Sequence, residues 1–221
     1  PGSYHHSLIV AALAEDAAGT IGANGLLCRV GCYFHDIGKI VKPEYFIENQ
    51  SAYGNPHDKV SPSLSRLVII SHVKEGIALA QAQKLDRKLI AFIAEHHGTS
   101  SIEFFLKKAL ELEEREEETE KEEISEESYR YAGPKPQSKE TGIAMLADAT
   151  EAASRSLEDP THQRIQDMVY SIINRKFLDG QLDETALTLK DLQNIAERFT
   201  ATLLTVYHVR IPYPEEAVKR A

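Results

Sequence analysis

Apolar residues recur along most of the chain at spacings of three and four residues, which is the pattern of an amphipathic α-helix. In residues 4–18, Ile9, Leu13 and Ala17 share one face, and Gly19 follows as a helix end. The same pattern predicts helices over residues 25–38, about 63–84, 86–97 and 101–127, one running to about Leu157, one after Pro160, and a last one that includes Leu203.

Prolines and glycines separate these segments. Residues 41–62 contain three prolines and the pair Gly54–Asn55, so they are predicted to form an ordered loop. A second break, at Gly133–Pro136, precedes a helix that starts at Ser138 or Thr141.

Two of the predicted helix starts carry local signals. Asp159–Pro160 introduces a helix with the proline at a tolerated first-turn position, and Thr188 followed by Asp191 resembles a capping box. No convincing pair of strands and no internal repeat is present. The predicted fold class is therefore all-α, with one domain over residues 1–221.

The net charge of −9 is local, not general. Residues 111–127 contain eleven Glu against Arg115 and Lys121, which accounts for the whole excess. This acidic stretch is interpreted as a variable insertion that forms a solvated helix or a mobile segment on the surface. The near-neutral remainder disfavours a broad basic surface for DNA or RNA, but it leaves room for a small anionic ligand.

The composition also bears on the compartment. No run of about 18 apolar residues and no signal-peptide pattern is present, so this segment is expected to be soluble. Cys28 and Cys32 lie four residues apart in a predicted helix, an awkward geometry for a disulfide, and are predicted to be small buried residues.

The placement of the nine histidines is the main chemical signal. His35–Asp36 closes the second predicted helix in the string FHDIGK, and other histidines and an aspartate lie in apolar helical segments that should face the core. These are His6, His72, His96, His97 and Asp148. Burying so many imidazoles and carboxylates without a cation is costly, because each needs a partner. A centre of two metal ions removes the difficulty, and its nitrogen and oxygen ligands favour iron, manganese or zinc.

Periodicity leaves two histidines unassigned. His5 competes with His6 for the first helix position, since each shares a face with apolar neighbours. His57, in the loop string NPHD, is interpreted as a loop residue, with contact to substrate or metal as the minority interpretation.

Longer strings make the sequence resemble a known family. The order H…HD…H…HH…D with HDIGK intact resembles HD-domain phosphohydrolases. The strings HDIGKIVKPEYFIENQ, EHHGTS and YRYAGPKPQSKETGIAMLADATEAASRSL are similar to the cytoplasmic HD domains of PgpH-type, seven-transmembrane-receptor cyclic di-AMP phosphodiesterases. The resemblance extends from Tyr4 to about Pro214.

The resemblance implies an HD-type helical bundle and a ligand set. One metal would be held by His6, His35, Asp36 and Asp148, and the other by His72, His96 and His97, with Asp36 bridging. Within this pattern His6, not His5, is the first ligand. The expected cofactors are two divalent metal ions, most simply iron or manganese.

Three further residues are predicted to meet the substrate. Lys39 lies one turn beyond His35 and Asp36, so it is interpreted as a catalytic cation for the phosphate oxygens. Arg155, seven residues after Asp148, returns to the same helix face and is predicted to contact phosphate or base. Tyr131 is predicted to shape the base pocket.

The resemblance further implies hydrolysis of cyclic di-AMP to linear 5′-pApA. The hypothesis is attack on phosphorus by a hydroxide shared between the cations, with Asp36 the least replaceable residue. The alternatives are an HD phosphodiesterase for cyclic di-GMP or another nucleotide, and a non-catalytic cyclic-dinucleotide sensor. Against the HD-GYP branch, PEYFIENQ follows HDIGK where that branch has GYP.

The resemblance also gives the expected setting of the domain. This segment would face the cytoplasm at the cell membrane, joined to transmembrane helices of a longer protein. Its partner would be a small cyclic dinucleotide, and not DNA or RNA. The sequence leaves the oligomeric state open, a homodimer included.

Overall fold

The computed structural model describes residues 2–50, 54–113 and 124–207. Over these residues the chain forms eight α-helices, and most of the connections between them are short. They are α1 (Gly2–Thr20), α2 (Gly25–Phe34), α3 (Pro62–Ala82), α4 (Arg87–Glu95), α5 (Glu103–Glu113), α6 (Lys139–Ser154), α7 (His162–Leu178) and α8 (Leu189–Val206). The described residues contain no strand, only an isolated bridge between Ser101 and Arg130. The predicted all-α class is confirmed.

Side-chain caps fix where several helices begin. Ser138 caps α6 and Thr188 caps α8, each in a reciprocal pair with the residue three positions on. Such a pair satisfies two backbone N–H groups that the first turn leaves free. The predicted starts at Ser138 and Thr188 are confirmed. The start at Pro160 is wrong, because Thr161 is the cap and α7 begins after it.

Two predicted helix ends are also wrong. Residues 25–38 were expected to be one helix, but α2 ends at Phe34 and a 3₁₀ turn, Ile37–Val41, follows. The helix expected over 101–127 ends in the described part at Glu113, and Glu126–Tyr129 is a 3₁₀ turn. Residues 114–123, most of the acidic stretch, lie outside the described residues.

Helix α6 lies at the centre of the bundle. Eleven of its sixteen residues are buried, and it contacts α1, α2, α4, α7 and α8. The main apolar core surrounds it and includes Leu13, Phe92, Leu146 and Phe199. Because Asp148 lies in the middle of this helix, a carboxylate is placed inside the bundle and not at its surface.

Close backbone packing places the turn after α2. Gly38 lies against α3 so tightly that a Cβ there would overlap the carbonyl oxygen of His72, and Gly76 faces it. Only glycine allows this approach. The turn that carries Asp36 and Lys39 is therefore fixed against the helix that carries His72.

The predicted loop over 41–62 contains three further short 3₁₀ turns in its described part: Pro43–Tyr45, Ile47–Asn49 and Pro56–Lys59. Cys28 and Cys32 are both free thiols in the buried core, as predicted. No helix of the described chain combines the length and the apolar character that crossing a membrane requires.

Candidate metal centre

Four predicted ligands from three parts of the chain form a first group. His6 comes from α1, His35 and Asp36 from the end of α2, and Asp148 from α6, with one possible ligand atom of each within 4.8 Å of the others. His6 Nε2 lies 3.0 Å from Asp148 Oδ1 and 3.4 Å from Asp36 Oδ2. His35 Nε2 lies 3.3 Å from the same Asp36 oxygen. We call this set the first group.

The second group shares Asp36. It adds His72 from α3 and His96 and His97 from the end of α4, again within 4.8 Å. The Nε2 atoms of His72 and His96 lie 3.4 and 3.6 Å from Asp36 Oδ1. One oxygen of Asp36 therefore faces each group.

Hydrogen bonds orient three of the histidines. His35 Nδ1 donates to the Cys32 carbonyl at 2.6 Å, His72 Nδ1 to Ile69 at 2.6 Å, and His96 Nδ1 to Ile93 at 3.0 Å. His35 and His96 are also the residues at which α2 and α4 end, where helix carbonyls lack a helical N–H partner. With the proton on Nδ1, a neutral ring turns an unprotonated Nε2 toward the centre.

These orientations suit bound cations. His6 Nε2 lies 3.3 Å from His35 Nε2, and the same distance separates His72 Nε2 from His96 Nε2. Lone pairs that face each other so closely repel unless a cation or a proton lies between them. Both oxygens of Asp36 are buried and neither has a hydrogen-bond partner of acceptable geometry, although the Lys39 ammonium lies 2.6 Å from Oδ2. Imidazole nitrogens around a carboxylate are a donor set for divalent transition metals, so the residues present fit such ions.

The pKa values of four histidines shift in opposite directions in the two groups. Burial lowers the pKa of His6, but hydrogen bonds to Asp148 and Glu151 outweigh burial and raise the pKa to about 9. Burial also lowers the pKa of His35, and the carboxylates of Asp36 and Asp148 outweigh it and raise the pKa to about 10. In the second group, burial lowers the pKa of His96, and the charge of His35 adds to this. Desolvation and the adjacent His96 hold the pKa of His97 well below its usual range.

The two carboxyl groups stay ionised. Burial would raise the pKa of Asp36, but Lys39 and His35 hold it well below its usual range. For Asp148, hydrogen bonds from His35 and His6 outweigh burial in the same way.

Lys39 lies at the edge of the first group. Its Nζ is 2.6 Å from Asp36 Oδ2 and 2.9 Å from Glu48 Oε1, and it lies 5.0 Å from the centre of the Phe46 ring. Burial lowers the pKa of Lys39, but Asp36 and Glu48 outweigh burial and raise it, so the ammonium stays charged. The structure thus brings Lys39 to the carboxylate that the two groups share, as its position in HDIGK indicated.

The other two predicted substrate residues are placed differently from each other. Tyr131 stacks on the ring of His97, with centroids 4.2 Å apart and planes 21° from parallel. Arg155 directs its Nε to Glu151 Oε1 at 2.9 Å, and its side chain is 40% exposed. Tyr131 is therefore beside the second group, whereas Arg155 reaches the first group only through Glu151. Their contacts with substrate stay predictions.

The structure gives the positions of the histidines that periodicity left unassigned. His6 is buried and points into the centre, whereas His5 is exposed. His57 is buried in the loop region, where its Nε2 donates to the carbonyl of Tyr45 at 2.8 Å and its ring packs on Phe105.

Sequence reasoning missed two carboxylates beside the centre, the buried Glu151 and the half-buried Glu48. Glu151 accepts a hydrogen bond from His6 Nδ1, and Glu48 pairs with Lys39. Glu151 lies one helical turn after Asp148, so this spacing on a buried face was an available signal. For Glu48, in a string rich in prolines and short turns, no periodicity pointed to the site.

Comparison with known proteins agrees with this geometry. The family model described as the HD domain matches residues 3–153, which include every ligand position of both groups. The chain belongs to the HD-domain family.

Two curated HD-domain relatives are named cyclic-di-AMP phosphodiesterase PgpH. The protein from Bacillus subtilis (strain 168) is 48% identical over 219 residues, which cover 99% of this chain and 30% of that protein. The protein from Listeria monocytogenes serotype 1/2a is 44% identical over 98% of this chain and 29% of its own length. The chain thus spans less than a third of these relatives.

A solved structure matches over nearly the whole HD domain. The L. monocytogenes phosphodiesterase PgpH HD domain in complex with cyclic-di-AMP is 43% identical, with a TM-score of 0.87 over 94% of this chain and 93% of that one. The predicted HD-type bundle and the resemblance to PgpH-type HD domains are confirmed.

Proposed function

We propose that this domain is a metal-dependent phosphodiesterase that hydrolyses cyclic di-AMP to linear 5′-pApA. The observation that carries the proposal is the pair of ligand groups around one buried carboxylate, Asp36, whose two oxygens face opposite groups. Centres with two cations bridged in this way serve in-line displacement at phosphorus.

The proposed ligands are those of the two groups. The first cation would be held by His6, His35, Asp36 and Asp148, and the second by His72, His96, His97 and Asp36. Iron or manganese suits this nitrogen and carboxylate set, which contains no thiolate. When bound, the two cations supply an activated water near neutral pH and neutralise charge on the phosphate.

The chain's own residues have separate tasks in this proposal. Lys39 holds a non-bridging phosphate oxygen beside Asp36, and its charge is secured by Glu48. Tyr131 presents an aromatic surface next to His97 on which a base can stack.

Two cavities have residues of the ligand groups in their walls. One of about 280 Å³ reaches Asp36 and Lys39 and has Tyr4 and Tyr33 in its wall. The other, of about 210 Å³, has His97 and Tyr131 in its wall. A phosphodiester at Asp36 would thus have open, mainly apolar space beside it in the first cavity.

Cyclic di-AMP is the proposed substrate because of the relatives. The curated proteins that match are named for it, and the 43%-identical HD domain was solved with it. A cyclic di-GMP phosphodiesterase, a nucleotidase and a non-catalytic sensor are the other outcomes of the test.

The test compares two substrates with and without metal. The purified domain, loaded with Mn²⁺ or Fe²⁺, is incubated with cyclic di-AMP and with cyclic di-GMP, with and without chelator, and the products are separated by chromatography. We expect 5′-pApA from cyclic di-AMP and no product after chelation. Faster turnover of cyclic di-GMP would show that cyclic di-GMP is the substrate instead. Binding without turnover would show that the domain is a sensor.

We also propose that residues 1–221 are one HD domain of a longer membrane protein and face the cytoplasm. The sequence resemblance and the extra length of the relatives support this. Separation of membranes from cytosol, followed by protease treatment of sealed vesicles of each orientation, tests it on the full-length protein.

A further inference from the structure

His6 is oriented differently from the three histidines that donate to carbonyls of their own helices. His35, His72 and His96 each donate Nδ1 to a backbone oxygen three residues earlier. The partner of His6 Nδ1 is instead the side chain of Glu151, which belongs to another helix, α6. A carboxylate behind a ligating imidazole fixes its tautomer and increases its basicity more than a neutral carbonyl does.

Glu151 is well placed to act in this way. It is 1% exposed, and the Glu151 oxygen that does not face His6 accepts a hydrogen bond from Arg155 Nε at 2.9 Å. A buried carboxylate is costly unless it is paired, and here both oxygens have partners. The chain from Arg155 through Glu151 to His6 is therefore complete.

We infer that Glu151 is a positioning residue for the first cation, held by Arg155 and acting through His6. Helix α6 then contributes twice to the first group: Asp148 as a ligand, and Glu151 one turn later as the support of a ligand on α1. The inference rests on the proposed cation centre but not on the identity of the substrate.

Metal binding, measured apart from hydrolysis, is the direct test. Glu151→Ala removes the acceptor, and Glu151→Gln keeps an acceptor of the same shape without its charge. Each variant and the wild-type apoprotein are titrated with Mn²⁺ in a calorimeter, and bound metal is counted by elemental analysis. Loss of a group that supports a metal ligand typically weakens affinity by about 10- to 100-fold.

We expect one of the two binding steps to weaken by about that factor in Glu151→Ala and by less in Glu151→Gln, while the other step changes little. The matched control is Glu140→Gln on the same helix, whose carboxylate accepts from the Asn24 backbone and touches neither group. Glu140→Gln should bind both ions as the wild type does. The visible spectrum of Co²⁺-loaded Glu151→Gln should also differ from that of the wild type, since the orientation of a ligand has changed.

Substitution of Arg155 gives an independent test of the inference. If it acts by holding Glu151, Arg155→Met weakens the same metal-binding step, and the double variant with Glu151→Gln is not additive. If Arg155 serves only the substrate, Arg155→Met raises KM and leaves metal binding unchanged.

Two results with the Glu151 variants would overturn the inference. One is wild-type affinity for both ions in folded Glu151→Ala and Glu151→Gln, with helicity checked by circular dichroism. The other is equal weakening of both steps, which would indicate a general structural role. Because the readout is metal, failure of the wild type to cleave any cyclic dinucleotide would reject the proposed function and leave this result intact. A wild type that binds no metal would reject both.

Discussion

The two ligand groups share Asp36 but differ in charge. The first group combines two histidines with Asp36 and Asp148 and has Glu151 behind His6, whereas the second combines three histidines with Asp36. Their histidines accordingly differ: the carboxylates raise the pKa of His6 to about 9, whereas burial and neighbouring rings lower the pKa of His96. The number of carboxylates, not the number of ligands, separates the two halves.

This difference has a consequence for cation binding. Two carboxylates would face a divalent ion in the first group and one in the second, so the first group would attract it more strongly, although the ammonium of Lys39 beside Asp36 offsets part of this difference. We therefore expect the tighter binding step to belong to the first group and the weaker step to the second.

Removing the shared residue should have the largest effect. Asp36→Ala takes a ligand from both groups, so we expect hydrolysis of cyclic di-AMP to fall by about 10⁴-fold, the equivalent of about 5 kcal/mol. Metal content should fall for both ions, while circular dichroism should show the helices retained. Near-wild-type turnover by metal-loaded Asp36→Ala would defeat the assignment of Asp36 as the bridge.

Substitutions in one group only should separate the halves. Asp148→Asn should weaken the tighter Mn²⁺ step and His72→Ala the weaker one, each lowering hydrolysis by about 10³-fold, or about 4 kcal/mol. Calorimetric titration of both variants measures this. If His72→Ala weakens the tighter step instead, the charge comparison between the groups is reversed.

Lys39 tests whether a cation beside the first group serves the substrate or the metal. Lys39→Met should lower kcat/KM by about 10²-fold, the effect of losing one group that stabilises transition-state charge. Both ions should still bind, since Lys39 is not a ligand. Lys42→Met, at an exposed position three residues on, is the control and should behave as the wild type. Loss of a metal ion in Lys39→Met would argue for a role in the centre and not at phosphate.

The smallest effect is expected for an ion pair that lies far from both groups. Asp16 on α1 accepts hydrogen bonds from Arg198 and Thr202 on α8, and these hold its pKa below the ordinary 3.8, against the opposing effect of burial. Since the pair is partly exposed, Asp16→Asn should cost at most about 1 kcal/mol of stability, with metal content and hydrolysis unchanged.

The pH dependence of that cost has a defined sign. A folded-state pKa below the unfolded value of 3.8 means that the contribution of Asp16 is fully present above pH 3.8 and is lost as pH falls through the folded value. Urea unfolding of wild type and Asp16→Asn at pH 7 and at pH 3 measures the difference. A gap that widens in acid would contradict the assignment.

Much of the fold followed from the sequence because apolar spacing and caps are local signals. Ser138 and Thr188 marked the starts of α6 and α8 correctly. The end of α2 was misjudged, since apolar residues continue at helical spacing through Ile37 while the backbone leaves the helix at His35. Periodicity reports which face is buried, but it does not report where tertiary contacts end a helix.

The residues of the candidate site also divide into those that the sequence predicted and those that it did not. His35 with Asp36 was visible as a doublet at the end of an apolar segment, and burial of His6 in place of His5 agrees with the position that the resemblance selected. Glu151 was not found, because a glutamate four residues before an arginine on a helix looks like an ordinary surface pair. Its contact with His6 depends on α1 lying beside α6, which no local pattern states.

The ends of α2 and α4 have a practical consequence for protein engineering. His35 and His96 each anchor to carbonyls in the last turn of the helix that they terminate. Transplanting the centre into another bundle by copying its side chains alone would leave these rings free to rotate. The stop of each helix has to be transplanted with its histidine, because the backbone that ceases to coil there is what aims the imidazole.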